Sequence, residues 1–234
     1  MHSFVRRPWS VFGIGANPSR FSKAATLESP IMAYATRELS VRTYPDFEKL
    51  AAKQGGCWCT YYQRARPVRG KMSREARKQV NRKYKGKLVR EGRSHAALVY
   101  DGEIPVGWCQ YGTQDELPRI DTWRNSVRRA AAESSIRKKK LWRITCFFVD
   151  RNHRGKGVAK AGLRAALSSI QDRGGGVVEA YPVVSKKMAA VPNGRWFGTP
   201  SMFEKEGFNR VAPLGTSLVL MRKTIAAKSG RGKG

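Results

Sequence analysis

The spacing of apolar and polar residues along the chain predicts a mixed α/β (α+β) protein. Alternating or continuous apolar runs indicate strands, and apolar residues three and four positions apart indicate helices. The clearest case is an apolar strand ending at Val149, followed closely by a helix whose apolar residues run from Val158 to Ile170. The predicted strands are 38–44, 96–100, 106–111, 142–149, 176–183 and 217–222, and the predicted helices are 45–53, 73–88, one from 158 and a short one from 200.

The aromatic segment 56–64 supports two interpretations. It is rich in tryptophan, tyrosine and cysteine, which suits a strand in the core. The same residues also suit the wall of a substrate pocket. The pattern alone leaves both open.

The predicted helix 73–88 is strongly basic. Ala76, Val80, Tyr84 and Leu88 form an apolar stripe at helical spacing. The basic residues that cover much of the remaining surface are Arg74, Arg77, Lys78, Arg82, Lys83, Lys85 and Lys87. The helix is either docked with a solvated outer face or offers a surface that binds anions.

Charge is the unusual part of the composition. The 234 residues are 41% hydrophobic, which is ordinary for a globular protein, and no apolar run approaches the roughly 20 residues of a membrane span. Lysine and arginine number 46 against 17 acidic residues, giving a formal net charge of +29. Such an excess indicates an anionic partner, such as RNA, the ribosome, DNA or a membrane surface, or serves solubility alone.

The four cysteines are Cys57, Cys59, Cys109 and Cys146. Their irregular spacing, with no clear secretion signal, predicts reduced thiols and a cytoplasmic location. The Cys57-x-Cys59 pair lacks a second pair of ligands nearby, so we predict no metal site and expect buried or redox-silent thiols.

Both ends of the chain differ from its middle. Residues 1–35 are basic, rich in small residues and interrupted by prolines, so a poorly ordered extension is expected there. It is either a transit segment or the product of a misassigned start. The second interpretation rests on Met32, which lies just before the first strand-like segment. Residues 36–223 form the predicted domain, and the basic tail 224–234 is expected to be disordered.

The most informative segment is the turn between the strand ending at Val149 and the following helix. It carries Arg154-Gly155-Lys156-Gly157. Glycines allow backbone amides to approach a ligand closely, and unpaired amides at a helix N-terminus favour an anion. The turn therefore predicts a phosphate cradle. Its spacing is neither that of a P-loop nor that of the dinucleotide-binding fingerprint.

The run from Arg154 to Ala159 resembles the Arg/Gln-x-x-Gly-x-Gly/Ala signature of the GNAT acetyltransferases. In that family the turn amides hold the pyrophosphate of acetyl-coenzyme A, and the preceding strand bonds the pantetheine arm through its backbone. The resemblance implies a GNAT fold with a mixed central sheet, a splayed strand pair and flanking helices. It also implies cofactor contacts from Phe148, Val149, Arg154, Gly155, Lys156, Gly157, Val158, Ala159 and Phe203.

A second match lies near the C-terminus. The segment from Phe203 to Phe208 resembles the family's Tyr-Glu-Lys-x-Gly-Phe. The Gly-Cys-Trp-Cys run at 56–59 and the segments 107–112, 115–119 and 145–149 also resemble an actinobacterial GNAT subfamily with undefined substrates. The resemblance implies transfer of an acetyl group from acetyl-coenzyme A to a small-molecule or peptide amine by direct attack in a ternary complex.

The catalytic positions depart from the family pattern. Phe203 stands where the family's usual general acid is tyrosine, and Thr145 stands where many members place a glutamate base. Candidates to replace them include Cys146 and Tyr181, and also Glu179 and His153. Two further functional classes stay open: a coenzyme A-binding protein without catalysis, and a basic RNA- or ribosome-associated protein.

Overall fold

The computed structural model describes residues 34–66, 68, 70–122, 139–186, 190 and 196–228. Seven strands there form one sheet in the order β1-β2-β3-β4-β5-β7-β6. The strands are β1 (Ala35–Glu38), β2 (His95–Asp101), β3 (Ile104–Thr113), β4 (Leu141–Val149), β5 (Gly176–Ala180), β6 (Asn209–Leu214) and β7 (Leu218–Ile225). The α-helices are α1 (Tyr44–Lys53), α2 (Arg74–Arg90), α3 (Val158–Asp172) and α4 (Pro200–Glu204), and short 3₁₀ turns span Pro118–Thr122 and Arg151–His153.

Helices cover both faces of the sheet. Among the seven strands described, only the β4–β5 pair is parallel, and the other neighbouring strands are antiparallel. On one face Leu163 and Ile170 of α3 pack against Trp142 of β4. On the other, Phe47 of α1 packs against Trp108 of β3. This layered arrangement confirms the predicted α/β class with a mixed central sheet flanked by helices.

Helix α1 and the β2–β3 hairpin lie where the sequence predicts them, but the predicted strand at 38–44 is wrong. β1 ends at Glu38 because a turn follows immediately. The Thr43 hydroxyl donates to the Glu38 carbonyl oxygen at 2.7 Å and accepts from the Ser40 amide at 2.8 Å. These bonds turn the chain, and α1 then begins at Tyr44. The sequence predicts no strand at the position of β6.

The predicted apolar stripe of α2 is also wrong in part. Leu88 is buried as expected, but Ala76 is exposed. The buried face instead includes Asn81 and Lys85. Asn81 donates to the Gly56 carbonyl oxygen at 3.0 Å, so this side of α2 docks on a polar loop rather than on an apolar surface.

Most of the predicted extension and tail lies outside the described residues. Of the extension, Tyr34 precedes β1 and Ala35 begins it; of the tail, residues 224 and 225 end β7 and residues 226–228 follow it. In the described part of the chain, no helix is both long and apolar enough to cross a membrane.

A buried histidine joins two carboxylates beneath β1. His95 Nε2 lies 3.1 Å from Glu116 Oε1, and His95 Nδ1 lies 3.5 Å from Glu38 Oε1. Burial lowers the pKa of His95, but the bonds to Glu116 and Glu38 outweigh it and the net pKa is raised. The pKa values of both glutamates are lowered, because these hydrogen bonds outweigh the effect of burial. Tyr111 and Arg173 also face this group.

We predict that His95→Gln has a pH-dependent cost. A raised histidine pKa stabilises the folded state fully below about 6.5, and the contribution fades as pH rises through the folded-state value. The lowered glutamate pKa values add stability above about 4.5. The wild-type advantage should therefore be largest near pH 5.5, at roughly 1–3 kcal/mol, and shrink by pH 9. Urea unfolding across pH tests this, and a constant difference between wild type and variant would contradict it.

Candidate functional site

The central feature of the site is the separation of β4 from β5. Their parallel pairing runs only from Leu141 to Ile144 on β4. β4 then continues to Val149 beside β3 alone. At this point a bulge leaves Thr145 without a partner, since Gln110 opposes Cys146 and the next β3 residue opposes Ile144. The expected splayed strand pair is therefore confirmed.

A later segment of the chain lies within this opening. The Phe147 amide donates to the Trp196 carbonyl oxygen at 2.6 Å, and the Val183 amide donates to the Gly198 carbonyl oxygen at 3.3 Å. The Phe197 ring between them is buried and lies 5.7 Å from the Tyr62 ring. The segment 196–198 thus bridges the splayed strands at the level of Phe147.

The glycine turn follows β4 as the sequence predicts. Gly155 and Gly157 have φ values of +76° and +88°, and a Cβ at either position would meet open space. Among the described residues, none accepts a hydrogen bond from the backbone amides of Gly155, Lys156 or Gly157. Arg154 Nε donates to the Val149 carbonyl oxygen at 3.4 Å. The turn is an accessible group of unpaired amides with two basic side chains.

Close packing positions the start of α3. Val158, the first helical residue, is 2% exposed and packs against Val99 and Val106. A Cβ on Gly107 would lie 2.6 Å from the Phe148 carbonyl oxygen and 2.7 Å from Val158 Cγ1. Because glycine allows this approach, the helix N-terminus sits directly against β3 and β4.

The remaining predicted cofactor residues lie close to β4. Phe203 is fully buried in α4, with its ring 6.0 Å from that of Phe147. Phe148 points to the opposite face and stacks on Trp108 at 4.6 Å. Ala159 is partly buried against the core beneath α3.

The two catalytic candidates lie on the α1 and α2 side of the sheet. Cys146 Sγ lies 3.0 Å from Cys59 Sγ, and both residues are buried. The Tyr181 hydroxyl is fully buried and donates to Glu179 Oε2 at 2.9 Å. Glu179 in turn accepts from Arg222 Nε at 2.9 Å. Tyr181 therefore belongs to a buried ionic network that joins β5 to β7.

The segment 56–64 is not a strand. Trp58 and Cys59 have φ values of +53° and +48°, in the left-handed region that L-residues seldom adopt. Cys59 contacts β4 through Cys146, and Tyr62 contacts Phe197. The core-strand interpretation is wrong, because this segment turns sharply to lie over the opening between β4 and β5.

Sequence reasoning missed the role of Lys85. It is fully buried, and its ammonium donates to Gln63 Oε1 at 3.0 Å and to Gln110 Oε1 at 3.5 Å. Burial lowers its pKa to about 8. Within the described residues no carboxylate pairs with it. Asn81, Lys85 and Val89 are spaced four residues apart, which places them on one face of the helix. The many basic residues around Lys85 made this pattern hard to recognise in the sequence.

Several buried polar atoms lie near the two thiols. The side-chain amide of Gln54 lies 3.9 Å from Cys59 Sγ and 4.0 Å from Cys146 Sγ. The buried atoms that lack a hydrogen-bond partner among the described residues include Gln54 Oε1, Trp58 Nε1, Gln110 Nε2 and Thr145 Oγ1. Buried polar atoms are normally paired, so this region is suited to a polar ligand or ordered water. Within the part of the chain that the structure describes, no three His, Cys, Asp or Glu residues are arranged to hold a metal.

The family model of the acetyltransferase (GNAT) family matches residues 46–192, which is more than half of the chain. The chain belongs to the GNAT acetyltransferase family. This membership confirms the resemblance seen in the turn and supports acetyl transfer as the general activity. No curated protein sequence matches the chain.

Solved structures of other proteins resemble this chain at low sequence identity. A histone acetyltransferase HPA2 and related acetyltransferase from Corynebacterium glutamicum is 15% identical, with a TM-score of 0.50 over 85% of this chain and 99% of that one. An acetyltransferase from Thermus thermophilus is 12% identical, with a TM-score of 0.45 over 83% and 99%. The NatC complex bound to Gag peptide and CoA contains a chain that is 13% identical, with a TM-score of 0.42 over 83% and 99%.

Proposed function

We propose that this GNAT protein is an N-acetyltransferase that moves an acetyl group from acetyl-coenzyme A to an amine by direct attack in a ternary complex. The observation that carries the proposal is the group of unpaired amides at Gly155–Gly157, which follows the part of β4 that no longer pairs with β5. We also propose residues 36–223 as the catalytic domain and the Gly-Cys-Trp-Cys type of GNAT as its subfamily. The acceptor is a small-molecule or peptide amine.

The turn suits the pyrophosphate of the donor. Its amides and the start of α3 supply hydrogen-bond donors and a favourable dipole, and Arg154 and Lys156 supply positive charge. A Cβ at Gly155 or Gly157 would project into open space, which leaves room for an anion to approach. We assign pyrophosphate binding to 154–159, because these groups match the chemistry of that anion.

The backbone of β4 is suited to the pantetheine arm, with one restriction. The Phe147 amide faces the opening but already bonds to Trp196. Strand residues two apart direct their backbone groups to the same side, so Val149 faces the opening as Phe147 does. We therefore propose Val149 as the backbone contact and Phe148 as a residue that positions the strand through its stacking on Trp108.

Acetyl-coenzyme A supplies the activated thioester, and the protein must supply a group that donates a proton to the leaving thiolate. Phe203 has no proton to donate. We propose Cys146 as the group that protonates the leaving thiolate, because hydrogen bonding to Cys59 and burial hold its pKa well above the usual range and keep it protonated. Tyr181 is the second candidate, with its proton held towards Glu179.

A carboxylate placed among the turn amides should prevent donor binding. We predict that Gly157→Glu weakens binding of acetyl-coenzyme A more than about 30-fold, because like charges placed together cost several kcal/mol. Titration calorimetry measures the affinity. Gly174→Glu is the matched control, since Gly174 also has a positive φ (+94°) and open space but lies beyond the far end of α3. Equal effects in the two variants would contradict the assignment of pyrophosphate binding to the turn.

The proton donor can be tested by substitution. We predict that Cys146→Ala lowers kcat by about 100-fold or more while the Kd for acetyl-coenzyme A stays the same. Cys146→Ser should restore part of the activity and move the basic limb of the pH–rate profile. Tyr181→Phe retains the buried ring and should lower kcat only slightly. A large loss in Tyr181→Phe with normal Cys146→Ala turnover would transfer the role to Tyr181.

The excess charge favours a second candidate function, binding to RNA or the ribosome. Arg82 of α2 is held by Glu48 through bonds of 2.7 and 3.0 Å. Arg74, Arg77 and Lys83 are exposed, and no carboxylate among the described residues pairs with them. This part of α2 is therefore free to meet a polyanion.

We predict that replacing Arg74, Arg77 and Lys83 with Glu reduces RNA affinity and its salt dependence. Each neutralised phosphate releases counterions, so the slope of log K against log salt should flatten by about 2 for three lost contacts. Filter binding at several salt concentrations tests this, and acetyl-coenzyme A affinity should not change. RNA binding identical to wild type would show that the helix face is simply solvated.

A further inference from the structure

We propose that Cys59 and Cys146 form a redox-active dithiol that closes reversibly to a disulfide at the opening between β4 and β5. The two sulfur atoms lie 3.0 Å apart although their residues are 87 positions apart in sequence. The other two cysteines do not share this arrangement, because Cys57 is exposed and Cys109 is buried beneath α3. The geometry thus selects one pair among the four.

The backbone holds Cys59 in this position at some cost. Trp58 and Cys59 are the two non-glycine residues with positive φ among the residues described. Each such conformation is unfavourable and persists only where the surroundings enforce it. The Trp58 side chain is buried beside Phe47 at 6.1 Å and anchors the turn. The strained turn therefore directs the Cys59 thiol at β4.

A buried cation supports the reactivity of this thiol. Lys85 has two amide oxygens as partners and no carboxylate within the described residues. An isolated buried ammonium is costly, so an anion beside it is favoured. Burial raises the pKa of Cys59, but its hydrogen-bonding contact with the Cys146 sulfur and the charge of Lys85 outweigh burial and lower the pKa. A thiolate at Cys59 next to a thiol at Cys146 is the arrangement of an attacking and a resolving cysteine.

The oxidant is a low-molecular-weight disulfide. The Cys59 thiolate attacks one of its sulfurs, forms a mixed disulfide and releases one small thiolate. Cys146 then loses its proton to solvent, and its thiolate attacks the Cys59 sulfur and releases the second small thiolate. Two protein thiols are oxidised to one disulfide, and the small disulfide is reduced to two thiols.

The disulfide would affect the acetyltransferase site directly. It would fasten the 56–64 turn to β4 beside Thr145 and Phe147, and it would remove the Cys146 proton. This consequence rests on the proposed function, whereas formation of the disulfide does not. The oxidised protein should therefore lose turnover and melt at a higher temperature than the reduced protein.

The test uses the full-length protein in glutathione redox buffers. Acid quenching, alkylation under denaturing conditions and peptide mass analysis identify the linked residues. We expect a mass lower by about 2 Da, one Cys59–Cys146 cross-link and alkylation of Cys57 and Cys109 alone. Dithiothreitol should reverse the change. Cys57→Ser and Cys109→Ser should oxidise like wild type, whereas Cys59→Ser should not form the link.

Several results would overturn the proposal. These are a Cys57–Cys59 or intermolecular bond, oxidation seen only after unfolding, or no intramolecular bond in the most oxidising buffer. An acetylated Cys59 after incubation with acetyl-coenzyme A, without any disulfide, would instead identify an acyl-carrying thiol. A Cys59–Cys146 disulfide in a protein that binds no acetyl-coenzyme A would support the dithiol and reject the proposed function separately.

Discussion

The end of the parallel pairing between β4 and β5 is the constraint on which the rest of the site depends. While both strands pair, up to Ile144, their backbone groups satisfy each other. Beyond Ile144, the bulge at Thr145 lets β4 follow β3 alone. The exposed backbone edge must then find partners, and the segment 196–198 supplies one at Phe147. The same separation leaves the rest of this β4 edge without β5 as a partner.

Chemistry is divided between the two faces of this edge. The α3 side offers amides and basic side chains at 154–157, a surface for anions. The α1 and α2 side offers Cys146, Cys59 and Lys85, which are buried. A single strand thus separates the unpaired amides of the turn from a group of side chains whose pKa values depend on burial.

Local patterns were sufficient for much of the fold. The β2–β3 hairpin, α1, the glycine turn and α3 depend on residues close in sequence, so their periodicity and turn residues predict them directly. The strand at 38–44 failed because the Ser40–Thr43 side-chain bonds compete with extended structure. The interpretation of 56–64 as a strand failed because tertiary packing around Trp58 overrides the preference of aromatic residues for strands.

Local spacing and the conformational freedom of glycine were enough to predict the class of fold and the glycine turn after β4. Tertiary structure alone decided the remaining chemistry. It brought Cys59 to Cys146, buried Lys85 without a carboxylate partner among the described residues, and engaged the Phe147 amide with Trp196. These contacts join positions far apart in the chain, and side-chain burial and cross-chain distance leave no periodic signal in the sequence.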